Sequence, residues 1–139
     1  NMSFVQAIIK NPTRSLSMQN KASATVTTSG YVMDLTSGLA VDATSSSTRA
    51  TIIGVSNQSI SAADALTQVP VFDLFDQDVW IADSTNNSNT AHNGQSMILG
   101  ANAGVVNNTG TTSAVGVVVQ VGTKGVAADK KILVKFIPN

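Results

Sequence analysis

The fold class of this chain is set by one stretch in its first third, Gly30-Tyr31-Val32-Met33-Asp34-Leu35-Thr36-Ser37-Gly38-Leu39-Ala40-Val41. A short apolar segment leads into Thr36-Ser37-Gly38, and a second apolar segment follows directly. Small polar residues and glycine between two such segments are typical of a hairpin turn between two strands. This stretch therefore predicts a β-hairpin.

The same pattern continues to the end of the chain. Each further apolar segment is separated from the next by Ser, Thr, Asn, Asp or Gly. These segments cover residues 52–55, 69–72, 79–83, 93–99, 115–121 and 132–136. Pro70 is expected at a strand start, and the Val-rich segment 115–121 is expected to be a central strand buried on both faces or to lie at a subunit contact. We expect seven to nine strands, and therefore an all-β protein: a small antiparallel β-barrel or β-sandwich, β-tulip-like, with an extended N-terminal arm. Residues 1–28 form the predicted arm and residues 29–139 a single β domain.

The composition argues against several classes of function. The formal net charge is zero and only 12% of the residues are charged. Binding to nucleic acid needs clustered Lys or Arg, so we expect none. No apolar run approaches the roughly 20 residues that cross a bilayer, and no signal peptide is recognisable, so we expect no membrane partner. The absence of Cys excludes disulfides and thiolate metal sites.

The first ten residues of the arm fit two local structures. Apolar residues occur at helical spacing, at Phe4, Val5, Ile8 and Ile9. A helix here would end before Pro12 and would be too short to be stable alone. An extended strand fits the same residues equally well. Further along the arm, Leu16 and Met18 alternate with polar residues, and so do Ala22, Ala24 and Val26, which predicts two half-buried strands.

Charge is unevenly distributed along the chain. Lys and Arg are concentrated towards both ends, whereas the stretch from Ala50 to Thr123 contains Asp and no Lys or Arg. Two explanations remain open. The ends lie beside the middle within one molecule, which we favour, or the arm of one subunit meets the acidic face of its neighbour.

The sequence offers little for catalysis. A catalytic triad needs a His beside a nucleophile and a carboxylate, and the only His, His92, lies in a polar loop where we expect it to be solvated. Trp80 lies inside a strand pattern, which favours a core or rim position over a ligand platform. We therefore expect no enzymatic activity.

One acidic cluster could hold a cation. Carboxylates gathered on a loop can bind Ca²⁺, but this spacing lacks the Gly and the closing Glu of an EF-hand loop. We therefore favour a solvated or interface edge over a weak cation site, and expect no metal or other cofactor. The cluster consists of Asp73, Asp76, Asp78 and Asp83.

A set of short phrases occurs in a fixed order between residues 30 and 136. The phrases are Gly38-Leu39, Ile53-Gly54-Val55, Val69-Pro70-Val71, Ala82-Asp83, Asn93-Gly94 before a strand that ends at Leu99, the Val-rich strand 115–121, and Lys131-Ile132-Leu133-Val134-Lys135. Over most of this stretch, the ordered set resembles the head decoration (cement) proteins of tailed bacteriophages. No single phrase is diagnostic, and the resemblance rests on the order.

This resemblance implies a structural role in the virion. Such proteins bind the outside of an expanded capsid, often as trimers, and join adjacent capsomers without catalysing a reaction. The implied partners are the major capsid protein and two further copies of this chain. The implied location is the capsid exterior, after synthesis in the host cytoplasm. Carried onto this chain, the capsid or subunit contact would involve Phe4, Val5, Ile8, Ile9, Lys10 and Arg14.

A second class of function remains open. A virion fibre or adhesin-type module would recognise a receptor or glycan through an amide-rich face. The Asn/Ser/Thr-rich loop from Ser84 to Asn93 could supply such a face.

Overall fold

The computed structural model describes residues 4–8, 16–20, 28–60, 68–74, 78–85, 90–107, 114–121 and 131–138. Within these residues the regular structure consists of strands and one short 3₁₀ turn, Thr90–His92, so the predicted all-β class is confirmed. None of the described helical structure has the length and hydropathy needed to cross a bilayer. The strands are β1 (Val5–Ile8), β2 (Leu16–Asn20), β3 (Val32–Thr36), β4 (Leu39–Asp42), β5 (Ile52–Ser56), β6 (Gln68–Asp73), β7 (Val79–Ser84), β8 (Ser96–Leu99), β9 (Val105–Asn107), β10 (Gly116–Val121) and β11 (Lys131–Phe136).

The first sheet closes into a small barrel. Its strands follow the order β7-β11-β10-β8-β9, and β9 returns to pair with β7. This closing pair is parallel, Asp83 with Val105 and Ser84 with Val106, whereas the other pairs of this sheet are antiparallel. β1 also joins β7, as an extra strand outside the ring.

The second sheet is a curled antiparallel sheet in the order β2-β6-β5-β3-β4. It contains the predicted hairpin: β3 and β4 are joined by Ser37 and Gly38, with φ angles of 52° and 78°. Positive φ at both central residues defines a type I′ turn, whose twist matches that of paired strands. The hairpin prediction is therefore confirmed, and the turn explains the glycine at position 38.

A shared hydrophobic core joins the two sheets. Val32 and Val55 of the curled sheet pack in the same buried cluster as Trp80, Ile132 and Val134 of the barrel. The curled sheet also has a second, smaller buried cluster of its own. Because one buried cluster draws on both sheets, the sheets stabilise each other through burial of apolar surface.

Arg49 links the segment after β11 to β5 through two hydrogen bonds. Its Nε donates to the carbonyl oxygen of Ile137 at 2.6 Å, and its Nη1 donates to that of Ile52 at 3.0 Å. The C-terminal segment after β11 is thereby fixed to the start of β5. Hydrogen bonds from a charged donor are stronger than neutral ones.

The arm contributes two strands to the sheets. Of the two local structures that the sequence allowed for the first ten residues, the strand is found, and the predicted strand around Leu16 and Met18 is confirmed as β2. A further predicted strand, over residues 22–26, lies outside the described residues. The described residues contain eleven strands, more than the expected seven to nine, partly because β9 has only three residues and gives no recognisable pattern.

One expectation about an individual strand was wrong. Pro70 was expected at a strand start but is the third residue of β6, which pairs on both sides. The N–H and the carbonyl of a strand residue point to the same side, and the Pro70 carbonyl accepts from the N–H of Asn57, just beyond the end of β5, so the missing N–H of proline costs no bond inside the ladder.

For strand 115–121 the sequence leaves two alternatives. Burial on both faces does not hold at Val119, which is 41% exposed because it lies at an irregularity in the pairing of β10 with β11. A subunit contact stays a prediction.

Candidate functional site

The N-terminal strand is bound at a distinct place on the barrel, which we call the arm seat: the β7 edge at 79–81, Gly30 and Phe136. β9 pairs with β7 only at Asp83 and Ser84, which leaves the preceding half of this edge open. β1 occupies that half, with Val5 opposite Ile81. The barrel seam is therefore completed by a strand from the chain's own N-terminus.

Phe4 anchors this strand. Its side chain is 4% exposed and belongs to the shared core cluster. Its ring centroid lies 5.6 Å from that of Phe136 with a tilt of 39°, a geometry that contributes roughly 0.5–1.5 kcal/mol beyond simple burial. Its backbone N–H donates to the carbonyl oxygen of Gly30 at 2.8 Å. The first strand of the arm is thus attached to the barrel by a buried aromatic ring, a backbone hydrogen bond and strand pairing.

Ser56 holds the Gly30 side of the arm seat in place. Its Oγ donates to the carbonyl oxygen of Thr28 at 2.5 Å and accepts from the N–H of Tyr31 at 3.2 Å. The backbone adds a bond from Gly30 N to Ser56 O at 2.9 Å. Ser56 is 2% exposed, so these bonds satisfy a buried hydroxyl. No pattern in the sequence predicts this role for Ser56.

An open cleft of about 200 Å³ lies beside the anchored strand. Its apolar part includes Val55, Phe72 and Trp80, and its polar residues include Ser29 and Asn57, whose side chains are exposed. The cleft is smaller than most small-molecule sites, which typically enclose about 300–1,000 Å³. Its position, at the junction of β1 with both sheets, makes it part of the surroundings of the arm.

The six residues predicted to make the capsid or subunit contact do not share one environment. Phe4 is buried in the protein's own core, whereas Val5 is 54% exposed. Ile8 is the last residue of β1, and the direction of its side chain is not described. Three of the six lie outside the described residues: Ile9, Lys10 and Arg14.

The acidic cluster is divided between elements. Asp73 ends β6, Asp78 is buried immediately before β7, and Asp83 lies within β7. Asp76 lies outside the described residues. Within the described part of the chain, no three His, Cys, Asp or Glu side chains are grouped as metal ligands would be.

Asp83 instead meets a lysine from the C-terminal end. Its Oδ1 lies 2.6 Å from Nζ of Lys131, and the two residues are directly opposite each other on β7 and β11. This pair joins the acidic middle of the chain to its basic C-terminal end within one molecule. It is an instance of the intramolecular explanation that the sequence favoured.

Trp80 and His92 complete the predicted candidates. Trp80 is 2% exposed, which confirms the expectation of a core or rim residue. His92 closes the 3₁₀ turn and is partly buried rather than fully solvated; its carbonyl oxygen accepts from Gln95 N at 3.0 Å.

Comparisons of the chain with protein-family models, curated proteins and solved structures found no match.

Proposed function

We propose that this chain is a structural virion protein that binds the outside of an expanded phage head and cements adjacent capsomers, as a homotrimer with contacts made through the N-terminal arm. The proposal is carried by the ordered set of phrases that resembles phage head decoration proteins. Most of these phrases fall on successive strands of the two sheets, at β4, β5, β6, β7, β8, β10 and β11.

The arm gives this proposal a physical mechanism. β1 is extended and pairs through its backbone, which is the manner in which one chain adds a strand to another. Val5 is an exposed apolar side chain on this strand. Lys10 and Arg14 follow shortly after and bring positive charge to the same arm. An arm with apolar and basic residues suits a partner surface that carries carboxylates.

The direct test is cosedimentation of the full-length chain with expanded, undecorated phage heads. Deleting the arm would also remove β1 and β2, each of which pairs with another strand, so charge reversal in the arm is the cleaner perturbation. We expect saturable binding by the natural chain and much weaker binding by the Lys10→Glu, Arg14→Glu double variant. The expected loss is about tenfold or more, since two favourable charge contacts become repulsive.

A matched control separates this effect from a change in net charge. Lys124→Glu, Lys130→Glu carries the same charge change outside residues 1–28, leaves the ion pair of Lys131 with Asp83 in place, and should bind heads as the natural chain does. Equal losses in both double variants would contradict docking through the arm. Failure of the natural chain to bind heads would contradict the cement function and put the receptor- or glycan-binding module first.

A further inference from the structure

The arm seat has the features of a binding site for a separate strand. It combines an open half-edge of β7, a buried position for one aromatic ring and a backbone acceptor at Gly30. The residues that fill it come from the opposite end of the chain from Phe136. A segment that fits this seat is therefore extended and has an aromatic residue followed by a β-branched one.

The attachment of β1 is limited in extent. The strand has four residues, and its register with β7 shifts between Gln6 and Ile8. Val5 leaves most of its side chain in solvent, and the cleft lies open beside the Phe4 ring. Phe4 is thus the one described side chain of this segment that is buried in the seat. A segment held at so few points can leave without disturbing the closed ring of strands.

We propose that the arm seat of one molecule accepts residues 4–8 of a second copy, so that two chains exchange their N-terminal strands. Every contact that Phe4 and β1 make in one chain can be made by the identical segment of another. The exchange replaces an intramolecular strand by an intermolecular one and creates no new kind of contact, which is the basis of domain swapping. This inference rests on contacts within the domain and does not depend on the capsid function.

The position of β2 sets where exchange would have to occur. β2 pairs with β6 in the curled sheet, so it remains with its own chain when β1 leaves. Seven residues, 9–15, separate β1 from β2. Fully extended, they span at most roughly 25 Å, so exchange requires the two domains to lie close together. Concentrating the molecules on a surface would favour it, because the effective concentration of the second arm rises.

Disulfide trapping between full-length chains tests this directly, because the chain has no Cys of its own. One chain carries Val5→Cys and the other, labelled with ¹⁵N, carries Ile81→Cys. These two positions are directly opposite in the register of β1 and β7, and the spacing of such cross-strand pairs falls within the range that a disulfide bridges. The two chains are mixed in urea, refolded together at high concentration and then oxidised, so that slow release of β1 does not limit exchange.

The control moves the acceptor position to a more exposed residue elsewhere, so that accessibility alone would favour the control. Val119, on β10, is 41% exposed and is not a register partner of Val5. We expect the covalent mixed dimer of Val5→Cys with Ile81→Cys to exceed that of Val5→Cys with Val119→Cys by about tenfold. An added peptide of residues 1–10 should suppress it, and the same peptide with Phe4→Ala should not.

A single chain carrying both Val5→Cys and Ile81→Cys verifies the register. When it is folded and oxidised at low concentration, where exchange is disfavoured, it should form an internal disulfide and remain monomeric. If this internal bond forms but the mixed dimer does not exceed the Val119 control, the arm seat binds only its own strand and the proposal is overturned. If the internal bond fails to form, the register on which the proposal rests is wrong and the proposal falls with it.

Discussion

β7 is flanked by two strands that are attached to it in different ways. β11 pairs with β7 at four consecutive positions without irregularity, and its alternate residues Ile132, Val134 and Phe136 are buried. β1 pairs at three positions, with a shift in register, and Val5 remains largely exposed. One strand is a component of the closed ring and the other is an addition to it.

This difference shows how a small barrel can present a segment without losing its fold. β11 is held by β7 on one side and β10 on the other, so removing it would open the ring. β1 pairs with β7 alone among the described strands. Its contribution comes from Phe4, whose loss is local. Mutations in β11 and in β1 should therefore differ in their effect on the free energy of unfolding.

The largest expected effect is in β11. Ile132 is fully buried in the core shared by both sheets. Ile132→Ala removes three methyl or methylene carbons and leaves a cavity, so we expect the free energy of unfolding to fall by about 2–5 kcal/mol. Urea denaturation followed by circular dichroism measures this. A loss below about 1 kcal/mol would mean that β11 is no more integral than β1.

Phe4→Ala should have a smaller effect than its burial alone suggests. We expect a loss of about 2 kcal/mol, compared with about 3–5 kcal/mol for the same change in a barrel core. The reason is that β1 can leave the arm seat while the ring of strands stays folded. The emission of Trp80, the only tryptophan, should shift to the red because it lines the uncovered site. Unchanged emission together with a loss near 4 kcal/mol would contradict a separable strand.

The ion pair between β7 and β11 should contribute less than either. Lys131 is 43% exposed and its partner Asp83 17% exposed, so solvent and salt screen the attraction. Lys131→Met should cost about 0.2–1 kcal/mol, and the cost should shrink further in 1 M NaCl. Urea titrations at low and high salt measure both quantities. A large, salt-insensitive loss would show that the pair is structurally essential to the ring.

The smallest expected effect comes from a chelator. Because we expect no metal cofactor, EDTA should leave the melting temperature unchanged. Differential scanning calorimetry with and without EDTA measures this. A clear drop in melting temperature would indicate a cation at the acidic cluster around Asp73 and Asp78. The segment before β7 would then contribute to stability in addition to β1 and β11.

Local patterns in the sequence predicted those parts of the fold that depend on local physics. The β3–β4 hairpin follows from a turn that needs positive φ at Ser37 and Gly38. β11 was expected from the largely apolar segment Ile132-Leu133-Val134-Lys135-Phe136, and in the structure buried and partly exposed residues alternate along it. Trp80 was expected in the core or at its rim because its neighbours form a strand pattern.

Features that depend on distant partners could not be predicted in this way. The arm fitted a helix or a strand until its partner, β7, was known. The burial of Phe4 depends on Phe136, near the other end of the chain, and that of Ser56 on the loop at Thr28. Pro70 is tolerated inside β6 only because β5 ends opposite it, a property of the register and not of the residue itself.

Native-state hydrogen exchange shows directly whether β1 is a separable strand on an intact barrel. We expect the backbone amides of residues 5–8 to exchange through local opening, about 100-fold or more faster than those of residues 132–136, which should exchange only with global unfolding. Urea should speed the exchange of residues 132–136 strongly and that of residues 5–8 hardly at all, because global unfolding exposes much more surface than local opening. Equal protection of β1 and β11, with the same dependence on urea, would show that β1 is not separable.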